Sequence, residues 1–369
     1  MNDQDYMRLA LELAERGRGW TSPNPMVGAV VVKDGRIIGR GWHEKCGRPH
    51  AERNALASCT QDPAGAVMYV TLEPCCHHGK QPPCVDAVLE AGISRVVVGS
   101  ADPNPLVGGR GIEILREHGV QVTENVLREQ CDKLNEVFLH FIQTREPFVV
   151  MKYAMTMDGK IASYTGASKW ITSEAARNHV QQQRHRYTAI MAGVGTVLAD
   201  DPLLTCRIPN GKNPFRIICD TRLQTPLTTQ VVTTAKQVPT IFAAGVQGGK
   251  EQEAFQKKKL ALQEAGCLVL EVEQKDGHVD LRQLMKRLGE ENIDSILLEG
   301  GGTLHWAALE SGIVRRVQAY VAPKLFGGRD AKTPVEGQGV AQPSEAYLLK
   351  NSKITRLGED FLIESELGS

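Results

Sequence analysis

No stretch of this 369-residue chain approaches the roughly 20 consecutive apolar residues that a membrane-crossing helix needs, so no membrane partner is expected. The first residues, MNDQDYMRLALELAERG, are charged and helical in pattern and lack the apolar core of a secretory signal, so a cytoplasmic location is expected. Neither sign of charge is in surplus, with 43 Lys and Arg against 43 Asp and Glu, and aromatic residues make up only 5% of the chain. A nucleic-acid groove needs a basic surface and rings on which bases stack, so no nucleic-acid partner is expected. The nine cysteines are odd in number and scattered. Without a secretory leader they read as metal ligands or buried apolar residues rather than as disulfides. Internal repeats and low-complexity segments are absent. So is a Gly-x-Gly-x-x-Gly after a first strand, which removes the dinucleotide site of a Rossmann domain from consideration.

What is there is an alternation of strand and helix signals, long enough for two cores. Residues 5–16 place Met7, Ala10, Leu11 and Ala14 at helical spacing, and Gly17 can end that helix. VGAVVVK, then Asp34-Gly35, then RIIGRGW, predicts a β-hairpin with a tight turn. His50-Ala51-Glu52 opens a helix, VMYVTLE reads as a buried strand, Pro82-Pro83 can begin a helix that Gly92 ends, and RVVVGS is a further strand. One helix is expected over 127–143. The boundary falls near 145, giving domains 1–145 and 146–369. The second half alternates again from FVVMKYAM to RVQAYVAP, with TAIMAGVG read as a strand leading into a Gly193-Val-Gly195-Thr196 loop. No element is assigned after about 330.

The residues that carry chemistry are His50-Ala51-Glu52, Pro74-Cys75 and Cys84. Zinc takes imidazole and thiolate ligands, and a catalytic site leaves its fourth position to water. His50, Cys75 and Cys84 are a three-ligand set of that kind. Zinc brings the pKa of the water it binds to near neutral, and Glu52, two residues beyond the histidine, is placed to take that proton and pass it to a leaving amine. The order His-x-Glu, then Pro-Cys, then Cys is the signature of zinc deaminases. One feature departs from it: eight residues, Cys76 to Pro83, separate two cysteines that are usually two apart. Cys76 is a rival ligand. Cys46, Cys59, Cys131, Cys206, Cys219 and Cys267 read as ordinary buried residues.

The segments NPMVGAVVVKDGRIIGRGWHEKCGRPHAERNAL, TLEPCCHHGKQPPCVDAV and DPNPLVGGRG resemble the bifunctional riboflavin-biosynthesis deaminase/reductases, and the long spacing between the cysteines is one of that family's features. The resemblance continues through TMDGKIASYTGASKWITSEAAR, GVGTVLADDPLLTCR and LLEGGGTLHWAAL, so it covers nearly the whole chain. It implies an α/β protein with a cytidine-deaminase-like sandwich of three α/β/α layers followed by a dihydrofolate-reductase-like α/β domain. It implies two reactions. The first is hydrolytic deamination of a diaminopyrimidinone carrying ribose 5-phosphate. The second is reduction of that ribose to a ribityl chain by NADPH, with a homo-oligomer expected. By the same resemblance Asn24, His43, His77, Lys80 and Asn104 contact the deaminase substrate. Ser168, Arg184, Leu204, Arg207 and Glu299 contact the reductase substrate, Arg184 and Arg207 through its phosphate. Ala154, Trp170, Thr196, Asp200, Gly300, Gly301, Gly302 and Thr303 contact the cofactor. Guanidinium groups suit phosphate oxygens, and bare amides at a helix N-terminus suit them too. Lys152 and Glu299, on strands of the second half, are the candidates for the proton step of the reduction.

Two other readings compete. A nucleic-acid or nucleoside deaminase fused to an unrelated nucleotide-binding domain would share the zinc motif, but the charge balance weighs against it. A zinc-stabilised scaffold would have no use for Glu52, an acid beside the ligands that is not one of them.

Overall fold

The computed structural model describes residues 1–77, 82–104, 108–248 and 252–368. The chain forms two compact units, Met1–Arg145 and Glu146–Ser369.

The first unit runs α1 (Asp3–Glu15), β1 (Gly28–Lys33), β2 (Arg36–Trp42), α2 (Ala51–Ala57), β3 (Val67–Leu72), α3 (Cys84–Glu90), β4 (Arg95–Ser100), α4 (Arg110–Glu117), β5 (Gln121–Thr123), α5 (Arg128–Leu134) and α6 (Glu136–Thr144). Helix α1 starts at a capping box, in which Asn2 accepts the Asp5 N–H and Asp5 accepts the Asn2 N–H. The hairpin turns on Asp34 (φ 50°) and Gly35 (φ 73°), both left-handed as a two-residue turn of this hand demands. The strands form one sheet in the order β2-β1-β3-β4-β5, parallel from β3 to β5. Tyr6, Met7 and Ala10 of α1 cover one face, against Val30 and Tyr69. Ala55, Val88 and Leu115, from α2, α3 and α4, cover the other, against Val31, Val70 and Val98. Helix α2 lies so close to β2 that a Cβ on Gly41 would sit 2.2 Å from the Ala55 nitrogen. The single helix expected over 127–143 is two. It breaks at Asn135, whose side chain accepts the Met26 N–H (2.8 Å) and donates to the Met26 carbonyl (2.9 Å).

The second unit contains β6 (Phe148–Thr156), α7 (Glu174–Arg186), β7 (Ala189–Gly193), α8 (Val194–Asp200), β8 (Phe215–Cys219), α9 (Gln230–Thr233), β9 (Thr240–Gly245), α10 (Gln252–Glu264), β10 (Leu268–Val272), β11 (Gln274–Lys275), β12 (His278–Val279), α11 (Leu281–Glu290), β13 (Ser295–Leu298), α12 (Gly302–Glu310), β14 (Val314–Ala322), β15 (Leu349–Leu357) and β16 (Asp360–Leu367). Nine strands form one sheet in the order β10-β9-β8-β7-β13-β6-β14-β16-β15, while β11 and β12 make a separate small ribbon. Strands β10 to β14 are parallel, and β16 and β15 close the sheet antiparallel. Apolar clusters cover both faces, one around Met151, Leu284 and Leu298, the other around Ile190, Ile218 and Phe242. In this unit too the sequence reading differs from the structure: it assigned neither α9 nor the β11–β12 ribbon. Residues 194–196, expected as loop, are the first turn of α8, and the β15–β16 hairpin lies where no element was assigned. Among the described residues no helix is long and apolar enough to cross a membrane.

Candidate active sites

Three backbone features converge in the first unit. His50 is the N-cap of α2, Cys75 follows β3 by three residues, and Cys84 is the first residue of α3. The His50 Nδ1 atom lies 3.5 Å from Cys75 Sγ and 3.3 Å from Cys84 Sγ. All three ligand atoms lie within 4.8 Å of one another, the one such group among the described residues. Zinc bonds of about 2.1 Å to nitrogen and 2.3 Å to sulfur at a tetrahedral angle put those atoms about 3.5 Å apart, so the cluster fits the ion. Cys76, the rival, is outside the cluster and packs against the apolar core. The long Cys75–Cys84 interval is accommodated by the helix start: the Cys84 and Val85 amides both donate to the Cys75 carbonyl, and the Cys84 amide approaches Cys75 Sγ at 3.4 Å. Hydrogen bonds from Cys84 and from His50 hold the Cys75 thiol down at about 4, and the bond to Cys75 pushes the Cys84 thiol up.

Glu52 is only 3% exposed and is hydrogen-bonded to Cys84. Burial, with Cys75 adding to it and His50 opposing, pushes its carboxyl up to about 7. An acid poised there can both take and return a proton at neutral pH. His43 lies beside the ligands, its ring centroid 5.3 Å from that of His50. Its Nδ1 donates to the Pro49 carbonyl (3.1 Å), which leaves Nε2 to accept from the Asn24 amide at 3.3 Å. His77 keeps a buried Nδ1 without a hydrogen-bond partner among the described residues. Asn104 lies on the loop after β4, its N–H donating to Asp102 Oδ1. Lys80 lies outside the described residues. Two further groups escaped the sequence reading. Glu73, directly before Pro74-Cys75, accepts the N–H groups of Asp102 (3.3 Å), Gly109 (3.1 Å), Gly111 (3.0 Å) and Ile112 (3.4 Å). It thus ties the Asn104 loop to the residue next to a ligand. Burial, with Glu73 nearby, pushes Asp102 up to about 6. Glu73 follows an apolar strand with no periodicity to flag it, and only the contact list of its carboxylate reveals its role.

In the second unit Lys152 on β6, Arg184 on α7 and Glu299 after β13 meet. Arg184 grips Glu299 with Nε at 2.8 Å and Nη2 at 3.0 Å, and Lys152 Nζ lies 3.4 Å from Glu299 Oε2. All three side chains are 11–13% exposed. Burial raises the Glu299 carboxyl, but Arg184 and Lys152 overcome it and hold it at about 2. The third Arg184 contact is to the Thr205 carbonyl at 3.1 Å. That stretch carries buried Leu204, in a left-handed conformation (φ 51°), and Arg207, which is exposed and anchored by its backbone N–H to Gln181 Oε1. The structure therefore brings Lys152, Arg184 and Glu299 together, while the Leu204 side chain packs in the apolar cluster around Ile190 and Arg207 lies on the surface two residues beyond Thr205.

The expected cofactor residues are spread more widely. Ala154 lies two residues along β6 from Lys152. Trp170 is 61% exposed, with the Arg177 guanidinium 4.6 Å from its ring centroid. Ser168 is half-buried in the same loop. Thr196 and Asp200 lie on α8. Gly301 is the N-cap of α12, leaving the first-turn amides of Gly302 and Thr303 without intrahelical partners. The Gly300 amide is already committed to His305. A cavity of about 470 Å³ lies beside these loops, lined by Gly193, Gly195 and Thr303 and by residues that the sequence reading did not name, among them Thr221, Arg222 and His278. Helix-terminal amides, a roomy cavity and the Arg222 guanidinium on its wall, with Asp220 and Asp276 also lining it, fit a phosphate-bearing dinucleotide.

Comparison with known proteins agrees with both halves. Residues 1–100 match the cytidine and deoxycytidylate deaminase zinc-binding region, and residues 147–363 match the RibD C-terminal domain. The chain is 54% identical to the riboflavin biosynthesis protein RibD of Actinobacillus pleuropneumoniae, over 99% of this chain and 95% of that one. Among solved structures, RibD of Acinetobacter baumannii superimposes with a TM-score of 0.87 at 35% identity, covering 100% of this chain and 99% of that one. The diaminohydroxyphosphoribosylaminopyrimidine deaminase/5-amino-6-(5-phosphoribosylamino)uracil reductase of Thermotoga maritima does so with a TM-score of 0.84 at 37% identity, covering 99% of each. With zinc-ligand geometry in one unit, an ion cluster and a cavity in the other, and relatives matched end to end, the chain belongs to the RibD family of bifunctional deaminase–reductases of riboflavin biosynthesis.

Proposed function

We propose that the first unit hydrolyses the exocyclic amine of 2,5-diamino-6-(5-phosphoribosylamino)pyrimidin-4(3H)-one and that the second reduces the ribosyl group of the product to ribityl with NADPH. The observation that carries the deaminase half is Glu52, buried against three zinc-ligand atoms without being one of them. Zinc held by His50, Cys75 and Cys84 supplies a Lewis acid that acidifies water. Glu52 holds the proton and delivers it to the leaving amine nitrogen. Asn24, with His43 steering its amide, orients the pyrimidine edge together with Asn104. His77 and Lys80 serve the same substrate.

Turning ribosyl into ribityl breaks the bond between C1 and the ring oxygen. A hydride must reach C1 and a proton must reach the oxygen. NADPH supplies the hydride. Glu299, ionised well below neutral pH, has no proton to give, so the proton belongs to the Lys152 ammonium, which Glu299 holds in place. Arg184 is spent on Glu299 and on the Thr205 carbonyl, so its part is to organise the pocket, while exposed Arg207 takes the substrate phosphate, and Ser168 and Leu204 serve the same substrate. Ala154, Trp170, Thr196, Asp200 and the amides of Gly301, Gly302 and Thr303 hold the cofactor. Arg222 and His278 favour NADPH over NADH, because they offer the 2′-phosphate cationic and hydrogen-bonding partners in the cavity wall. Assembly with further copies of the chain is supported by β15, an edge strand that leaves Leu349 and Ile354 exposed.

The test couples the two halves. Given the undeaminated pyrimidine, the native chain should oxidise NADPH, and Glu52→Gln should not. Given the deaminated compound, both should oxidise it equally. NADPH oxidation by Glu52→Gln on the undeaminated pyrimidine would defeat the proposed order of reactions.

A further inference from the structure

His305, on α12, is a fully buried histidine that neither reaction uses. Its Nδ1 lies 2.7 Å from the Pro334 carbonyl, and a carbonyl can only accept, so Nδ1 carries the proton. The Gly300 N–H points at Nε2 from 3.2 Å, so Nε2 must be bare. The ring is therefore neutral and of one tautomer, and burial, which lowers its pKa, keeps it neutral.

Both bonds reach the reductase site. Gly300 follows Glu299 in the chain. The Glu299 N–H is bound to the Met191 carbonyl at 2.9 Å, so with His305 the two peptides flanking the carboxylate-bearing residue are both pinned. The other bond holds the segment around Pro334 against the glycine run. There the Glu336 N–H donates to the Gly302 carbonyl at 3.1 Å, and a Cβ on Gly302 would meet Glu336 Cγ at 2.5 Å and the Thr333 carbonyl at 2.7 Å.

We infer that His305 is a positioning residue of the reductase: through Nε2 it fixes the Gly300 peptide, and so the Glu299 carboxylate against which Lys152 is aligned. The inference rests on the reductase reading above. It separates the two ring nitrogens, because only Nε2 bears on catalysis, while Nδ1 serves packing.

Two substitutions part them. The amide of glutamine reaches about where Nε2 lies, and that of asparagine about where Nδ1 lies. His305→Gln keeps an acceptor for Gly300, and His305→Asn keeps a donor for Pro334. On pre-deaminated substrate, His305→Asn should lose roughly tenfold in kcat, the scale of one misplaced hydrogen bond, with NADPH affinity little changed. His305→Gln should stay within about threefold of the native chain. Deamination should be native in both. Equal kcat in the two variants, or the reverse order, overturns the inference. Nitrogen NMR of the native chain gives an independent check: a buried histidine signal with the proton on Nε2 would overturn it whether or not the variants fold. Absence of any NADPH oxidation by the native chain would instead count against the reductase reading itself.

Discussion

Two buried glutamates, one in each unit, meet opposite fates. Glu52 has thiols and an imidazole as neighbours, and burial drives its carboxyl up to about 7. Glu299 lies less deep, its side chain 11% exposed, and Arg184 and Lys152 overcome its burial and hold it at about 2. Desolvation favours the neutral form in both, and the neighbouring cations decide the outcome. The first carboxyl can shuttle a proton near neutral pH. The second is a fixed anion around which two cations are arranged. Burial alone does not reveal what an active-site acid does.

The largest effect that can break this comparison is loss of a zinc ligand. Cys84→Ser should release the metal and cost deamination at least the roughly 10²–10⁴-fold expected for losing the acid–base step itself. Metal analysis with a deaminase assay checks both, and reduction of pre-deaminated substrate should be untouched. Full zinc content in this variant would remove Cys84 from the ligand set.

The next effect falls on the anion. Glu299→Gln leaves two buried cations without a counter-charge, which should cost about 3–5 kcal/mol and lower the melting temperature of the second unit. Turnover should slow while both ligands still bind. The pH dependence follows in sign. Glu299 has a folded pKa depressed to about 2 from an ordinary 4.5. Its stabilisation is present above that ordinary value and lost as pH falls toward about 2, so melting measured over this interval should flatten in Glu299→Gln. A native acid limb unchanged by the substitution would mean that the carboxylate is not paired in solution.

The smallest effect sharpens the division between two arginines. Arg207→Ala should raise KM for the phosphoribosyl substrate by roughly ten- to a hundredfold, the worth of one charge-assisted contact, with kcat and NADPH affinity nearly native. Steady-state kinetics with NADPH titration decide it. Loss of NADPH affinity instead would assign Arg207 to the cofactor.

The same contrast explains what could be read without a structure. The zinc centre is written in short segments: His50 and Glu52 open one helix, Cys84 opens another, and Cys75 closely follows a strand, so each ligand is marked by its place at the end of a legible element. The reductase centre draws on residues 152, 184 and 299, which only the parallel sheet brings together, and no local pattern says that Arg184 faces Glu299 rather than a phosphate. Arg222, after β8, and His278, on β12, line one cavity from places far apart in the chain. The β15–β16 hairpin escaped notice because β15 is exposed along most of its length, so no alternation of apolar and polar residues marks KNSKITRL. The break in the α5–α6 helix was invisible for a different reason. Asn135 is tolerable inside a helix, and its role depends on Met26, more than a hundred residues away.

Glu73 leaves the deaminase with a practical freedom. Its carboxylate binds the backbone at Asp102 on one side and at Gly109 and Gly111 on the other, so both feet of the intervening loop are fastened to the strand that leads to Cys75. Because the fastening uses main-chain amides, it does not depend on which side chains lie between. Asn104, directly beyond the Asp102 fastening, can therefore be exchanged in favour of other pyrimidines while the metal stays where it is. Zinc content across a set of Asn104 variants should stay at one per chain even as substrate preference drifts.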